Sequence, residues 1–218
     1  MQQVFFDRNF FTSDLDTTSV KSYFARGTQE RIERISKVID EELEWLKLNS
    51  DPKATITISS PPARDHLWDQ ADEIVAAAVT IGGKPESRVK ELFDSAQLER
   101  GLALDTLASA FVDSCARQVY QSIVTIAENK QLPLTGRITP GGGNGDAAFS
   151  YQKKLFEIVD LAAIGVSVSS GMMMKPIKSS SFFVLLGTDV NTSLGCGYCR
   201  NCISLKTCDY RRFGIFNH

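Results

Sequence analysis

Apolar side chains recur at Ile32, Ile35, Val38, Ile39, Leu43 and Leu46, with Glu, Arg and Lys between them. That spacing gathers them on one face of a helix over residues 29–48, ended by the Asn-Ser-Asp-Pro run at 49–52. Residues 54–59 (ATITIS) alternate in the manner of a strand, and Pro61 and Pro62 follow. Residues 73–81 (EIVAAAVTI) are almost continuously apolar and run into Gly82 and Gly83. This pattern predicts a buried strand that turns into a helix at Pro85. A second long helix is expected over 98–129, where Leu107, Phe111, Cys115, Val119, Ile123 and Ile126 share a face. Ala103, Ala108 and Ala110 would allow close packing near its start.

After Pro133 the texture becomes that of a loop, residues 135–150 (TGRITPGGGNGDAAFS), followed by a short helix over 151–160. Two apolar strands, 164–168 and 181–186, flank a Met-rich turn, GMMMKPIK, whose methionines Met172, Met173 and Met174 read as packing residues. Helices and strands are mixed without a regular βαβ repeat. The expected class is therefore α+β: one domain over residues 1–190 with a mainly antiparallel twisted sheet flanked by helices. A cysteine-rich tail over 191–218 is expected as an appendage.

The 218 residues are 43% hydrophobic, enough for one core of ordinary size. Lys and Arg total 24 against 26 for Asp and Glu, so the whole molecule has no attraction for nucleic acid or an acidic membrane. The opening segment lacks the form of a signal peptide and no stretch approaches the roughly 20 apolar residues of a membrane span, which points to the cytoplasm. Thiols stay reduced there. Cys115, alone on the apolar face of a helix, reads as a core residue, while Cys196, Cys199, Cys202 and Cys208 crowd into thirteen residues as a ligand set. His66 and His218 are the two histidines, and His66 reads as a surface or helix-cap residue, so a histidine-based hydrolase is disfavoured.

Two segments carry chemistry. In the first, Arg137 is followed by Thr139, Pro140, Gly141, Gly142, Gly143, Asn144, Gly145 and Asp146. Glycines let main-chain amides approach a ligand that a Cβ would hold off. Arg137 could grip a carboxylate with its planar fork, and Asp146 could accept from hydroxyl or ammonium groups. A glycine loop with a surface arginine is the plainer alternative. Neither a Walker loop nor a dinucleotide fingerprint is present.

These residues also carry a resemblance. The run from Arg137 to Asp146, then QKKLFEIVD (152–160) and GVSVSSGMMMKPIKSSS (165–181), resembles in order and spacing the activation region of cobalamin-dependent methionine synthase and its short free-standing homologues. A looser likeness begins at SVKSYFARGTQ and VTIGGKPESRV, so the resemblance spans most of residues 19–187. It implies that Arg137 and the backbone around Pro140 and Gly141 hold S-adenosylmethionine, with Thr139, Gly142, Gly143 and Asp146 in the same loop. Ser179 and Ser181 are either ligand contacts or a polar strand edge. Gly142 replaces the tyrosine that the family carries after Pro-Gly, and Phe149 is the candidate substitute ring. The partner implied is a corrinoid protein or cobalamin-dependent methyltransferase that carries the cobalamin. Its inactive cobalt(II) form gains an electron, and the resulting cobalt(I) takes a methyl group from S-adenosylmethionine.

The second segment is the tail, GCGYCRNCISLKTC, which spaces its cysteines as CxxCxxCx5C. Four close thiolates can wrap a 4Fe-4S iron-sulfur cluster or a tetrahedral zinc ion, and the two successive x2 gaps favour the cluster. Arg200, Lys206, Arg211 and Arg212 around the motif either tune it, dock an acidic partner or are simply solvated. Joined to the resemblance, a cluster would make the protein its own electron donor. The alternative is a non-catalytic module that binds S-adenosylmethionine or the corrinoid protein, with zinc stapling the tail.

Overall fold

The computed structural model describes residues 1–12, 15, 17–62, 67–141, 150–192, 194 and 195. Four strands, β1 (Gln2–Phe6), β2 (Lys53–Ser59), β3 (Glu73–Thr80) and β6 (Ser179–Leu186), form one antiparallel sheet in the order β1-β2-β3-β6. A two-residue hairpin, β4 (Ser167–Val168) with β5 (Met174–Lys175), stands apart from it. The helices are α1 (Thr18–Phe24), α2 (Gln29–Asn49), α3 (Lys84–Asp94), α4 (Leu98–Lys130) and α5 (Tyr151–Ile158).

The α+β class and the antiparallel sheet agree with the sequence reading, and local chemistry explains the boundaries. Thr28 caps α2 by accepting from the Arg31 amide, and Pro85 sits in the first turn of α3. α4 ends on Gln131 in the left-handed conformation. The strand expected over 164–168 is shorter. Residues Ala162–Ile164 make a 3-10 turn, and Gly165 takes a left-handed φ of 71° that breaks the run before Ser167. Apolar composition there serves a packed turn instead of a ladder. Neither β1 nor α1 was expected from the pattern, since both are short.

The sheet separates two cores. On one side Ala54, Ile56, Ile58, Val75, Ala77, Val79, Phe182 and Val184 meet the helix layer, including Ile35, Ile39, Leu107, Phe111, Cys115 and Ile123. On the other, Ile74, Ala76, Ala78, Phe183 and Leu185 meet Trp68, Leu155, Leu161, Ile164 and Val166. β3 is thus buried on both faces, which is why its sequence runs apolar without alternation. Trp68 meets Tyr151 and Phe183 edge-on at 5.2 and 5.5 Å. Val190 and Leu194 also pack into this second core. Of the three methionines in the turn, Met174 packs there as expected, while Met173 is exposed.

One charge is buried within the helix layer. Glu42 of α2 is fully covered and accepts from Arg88 of α3 through both carboxylate oxygens, at 2.9 and 3.0 Å. Arg100 of α4 lies 3.1 Å from the same carboxylate. The Glu42 hydrogen bond holds Arg88 firmly in its charged form, and the guanidinium also stacks 4.5 Å from the Trp45 ring centre. Charge is satisfied, so the three helices can pack around it.

Candidate functional site

Residues 134–138 run along the outer edge of β6, bridging it antiparallel at Leu134–Leu186 and Ile138–Phe183. Ile138 and Phe183 exchange backbone hydrogen bonds at 2.8 Å in each direction. Thr135 adds two more bonds: its amide donates to the Leu185 carbonyl at 3.0 Å, and its hydroxyl accepts from the Leu185 amide at 3.1 Å. From α4, the Tyr120 hydroxyl donates to the Thr135 carbonyl at 3.0 Å. The segment read as a loop therefore begins as an added, irregular strand. Its first residues are fixed before the glycines start.

Alternation along that segment decides where its side chains go. Ile138 enters the second core, so Arg137 turns the other way, toward the helix layer. Arg137 is 7% exposed and lies 5.8 Å from the centre of the Phe182 ring. Its Nη1 donates to Asp113 Oδ1 of α4 at 3.1 Å. The other oxygen of Asp113 is buried, has no hydrogen bond, and lies 3.5 Å from Arg117 Nη1. One carboxylate thus faces two guanidinium groups.

Asp113 belongs to a polar row on α4. Asp105, Ser109, Asp113 and Arg117 follow at intervals of four and so lie one above another on the helix surface. At the near end of the row, Lys178 Nζ lies 2.7 Å from Asp105 Oδ1 and donates to Ser109 Oγ at 2.8 Å. Lys178 immediately precedes β6, and Arg137 flanks the same strand farther on. The strip between α4 and the β6 edge therefore alternates acid and base.

The other expected site residues fall into separate places. Thr139 is exposed, Pro140 is buried, and Gly141 turns the chain with φ 71°. Ser179 Oγ donates to the Pro176 carbonyl at 2.7 Å and lies 2.9 Å from Thr80 Oγ1, so it fixes the entry into β6. Ser181 is buried and accepts from Gln152 Nε2 of α5 at 3.3 Å. It shares the face of Phe183, opposite to the face on which Arg137 lies. The structure thus joins Arg137 to the Pro140–Gly141 turn but separates it from the serines by the thickness of the sheet. Gly142, Gly143, Asp146 and Phe149 lie outside the described residues, as do Cys196, Cys199, Cys202, Cys208 and His66.

Asp113 was not read from the sequence as a site residue. A signal was present, because Asp113 is the one charge between Asp105 and Arg117 in a stretch that is otherwise apolar or small. Only the tertiary structure puts Arg137 against it. Chemically, a guanidinium and a carboxylate held side by side are complementary to a zwitterionic α-amino acid, whose carboxylate and ammonium can pair with them in turn. Among the described residues, no group of three or more His, Cys, Asp or Glu side chains is arranged to hold a metal ion. Nor is any described helix long and apolar enough to cross a membrane.

The architecture is that of an α+β domain whose four-stranded antiparallel sheet lies between a helix layer and a second, smaller core. It is shared with the crystal structure of the MetH reactivation domain bound to AdoHcy, with a TM-score of 0.61 over 88% of this chain and 80% of that one. Sequence identity is 14%, so the likeness is one of fold. No family model matches the chain, and no curated protein matches it in sequence.

Proposed function

We propose that this protein binds S-adenosylmethionine beside the outer edge of β6 and supports reductive methylation of a corrinoid protein. The observation that carries the proposal is the Arg137–Asp113 pair, next to the Pro140–Gly141 turn, in a chain that folds like a domain solved with AdoHcy. AdoHcy is S-adenosylmethionine without its methyl group, and both end in the same zwitterionic amino acid. Arg137 would hold the carboxylate through charge-assisted hydrogen bonds and Asp113 would accept from the ammonium. In the free protein each of these groups holds the other in place across 3.1 Å, so the site is preorganised.

Few side chains are needed beyond this. The ligand's sulfonium supplies the methyl group, which passes to cobalt(I) of the partner and leaves AdoHcy behind. The chain's task is to aim that methyl group and exclude water, a positional contribution. Gly141, at φ 71°, presents backbone where a β-branched residue would be strained, and Thr139, Pro140, Gly142, Gly143 and Asp146 complete the loop in this reading. Ser179 and Ser181, occupied with Pro176 and Gln152, support the strand and stand outside the amino-acid end of the site. Cys196, Cys199, Cys202 and Cys208 would hold the iron-sulfur cluster that supplies the electron.

Calorimetry with S-adenosylmethionine and AdoHcy tests the first half. Saturable binding of both is expected, weakened about tenfold or more in Arg137→Lys, because the loss of a bidentate, charge-assisted contact is worth roughly 1.5 to 3 kcal/mol. Asp113→Asn should weaken binding while keeping the hydrogen-bonding shape. Absence of binding by the folded wild-type protein, or wild-type affinity in both variants, overturns the assignment.

A further inference from the structure

β1 is the outermost strand of the sheet, paired with β2 on one side and, among the described residues, with nothing on the other. Its five residues, QQVFF, include no charge, no proline and no glycine. Exposed edges are normally protected by such residues, because an open row of amides and carbonyls is a template for another strand. Nor is β1 bulged: all five residues pair in unbroken register with β2, from Gln2–Ile58 to Phe6–Ala54. Phe5 is 53% exposed beside this edge, and Phe10 is 37% exposed. Phe5, Phe6, Phe10, Lys53 and Ile164 line an open cleft of about 460 Å³ at the end of the strand.

We propose that β1 is a self-association edge, taking the β1 strand of a second copy in antiparallel register to join two four-stranded sheets into one of eight. The occupant follows from the chemistry of the edge. Antiparallel pairing about a two-fold axis is self-complementary, since each copy offers the same alternation of donors and acceptors. Centred on Val4, the register sets Val4 opposite its own copy, Gln3 opposite Phe5 and Gln2 opposite Phe6. Phe5 then lies diagonal to the second Phe5, at about 7–8 Å, a spacing that aromatic side chains span. Charge agrees with a homotypic partner: an uncharged strand meets its copy without repulsion, whereas an edge built for an acidic or basic peptide would carry the opposite sign. The uncovered Phe5 rings supply the apolar area that strand pairing alone lacks.

Sedimentation equilibrium under reducing conditions, with hydrogen exchange read at the β1 amides, tests this independently of ligand binding. A monomer–dimer equilibrium is expected, with slower exchange at residues 2–6 as concentration rises. Gln3→Lys, at an exposed position, puts two like charges diagonally across the axis and should shift the equilibrium toward monomer by at least tenfold. Circular dichroism and S-adenosylmethionine affinity should be unchanged in that variant. A wild-type protein that is monomeric throughout overturns the proposal. So does a dimer that Gln3→Lys leaves intact and whose β1 amides exchange alike at all concentrations.

Discussion

Asp113 carries two burdens at once, since it neutralises a guanidinium that is almost wholly buried and, in the proposed function, receives the ligand's ammonium group. Removing it leaves Arg137 at 7% exposure with its hydrogen-bonded carboxylate gone. Breaking one side of a covered ion pair costs roughly 3 to 5 kcal/mol, and the 17% exposure of the Asp113 side chain argues for the lower end, about 3 kcal/mol. Urea denaturation of Asp113→Ala should show that loss, and a ligand-induced rise in thermal midpoint should vanish with it. A smaller effect belongs to Gly141. With φ at 71°, Gly141→Val forces a β-branched residue into the left-handed region at a cost of roughly 1–2 kcal/mol, whereas Gly141→Asn tolerates it. Binding should fall in the valine variant and largely survive in the asparagine one. Cys115 is the opposite kind of residue. Burial, followed by the nearby Asp113 charge, pushes its thiol up to about 12, so it stays protonated near neutral pH. Peptide mapping after iodoacetamide treatment should find Cys115 unmodified in native protein and alkylated once it is unfolded.

At the scale of elements, the helix layer is organised around Glu42. Its carboxylate takes a two-pronged bond from Arg88 on α3 and lies against Arg100 on α4, so one α2 residue ties three helices together. Both arginines are a little over a quarter exposed and can turn to water once the carboxylate is gone. The expected loss in Glu42→Gln is therefore about 2 kcal/mol, near the value of a charge-assisted hydrogen bond and below that of an orphaned buried charge. Denaturant unfolding should give this value with the α4 row and the ligand site unaffected. β6 has a similar organising role on the sheet side. Its outer edge receives residues 134–138, and the entry held by Ser179 lies close to Lys178, which anchors to α4. In the proposed function the ligand lies along the seam between these two elements.

For the whole molecule, the proposed division is between a domain that holds the methyl donor and a tail that supplies the electron. Protein prepared without oxygen should be brown and carry about four irons per chain if Cys196, Cys199, Cys202 and Cys208 hold a four-iron cluster. Cys199→Ser should abolish reduction of a cobalt(II) corrinoid partner while S-adenosylmethionine affinity stays at the wild-type value. One zinc and no iron would remove the electron-transfer role and leave the methyl-donor site standing. Val190, Leu194 and Gly195 already bind the chain leading to the tail, through the second core and close contact with the Gly136 backbone. Leu194 and Gly195 thus lie beside residues 134–138, the segment that carries Arg137.

What the sequence determined by itself was everything written in a repeating period. The 3.6-residue recurrence of apolar side chains placed α2 and α4 to within a residue or so of their observed ends. The alternation in β2 and the unbroken apolar run in β3 each marked a strand, although β2 too is covered on both faces, with Thr55 and Thr57 fully buried between its apolar residues. Arg137 and Gly141 stood out because guanidinium chemistry and backbone freedom are properties of single residues. Short elements such as β1 and α1 gave too few periods to be read. The tertiary structure alone decided that residues 134–138 would join the sheet edge, since their hydrogen-bonding partner, β6, lies some 45 to 50 positions away. That pairing sets which way Arg137 points, brings Asp113 to it and parts it from Ser181. A side chain's partner across a fold depends on the register of strands distant in sequence, and register is a property of the assembled sheet.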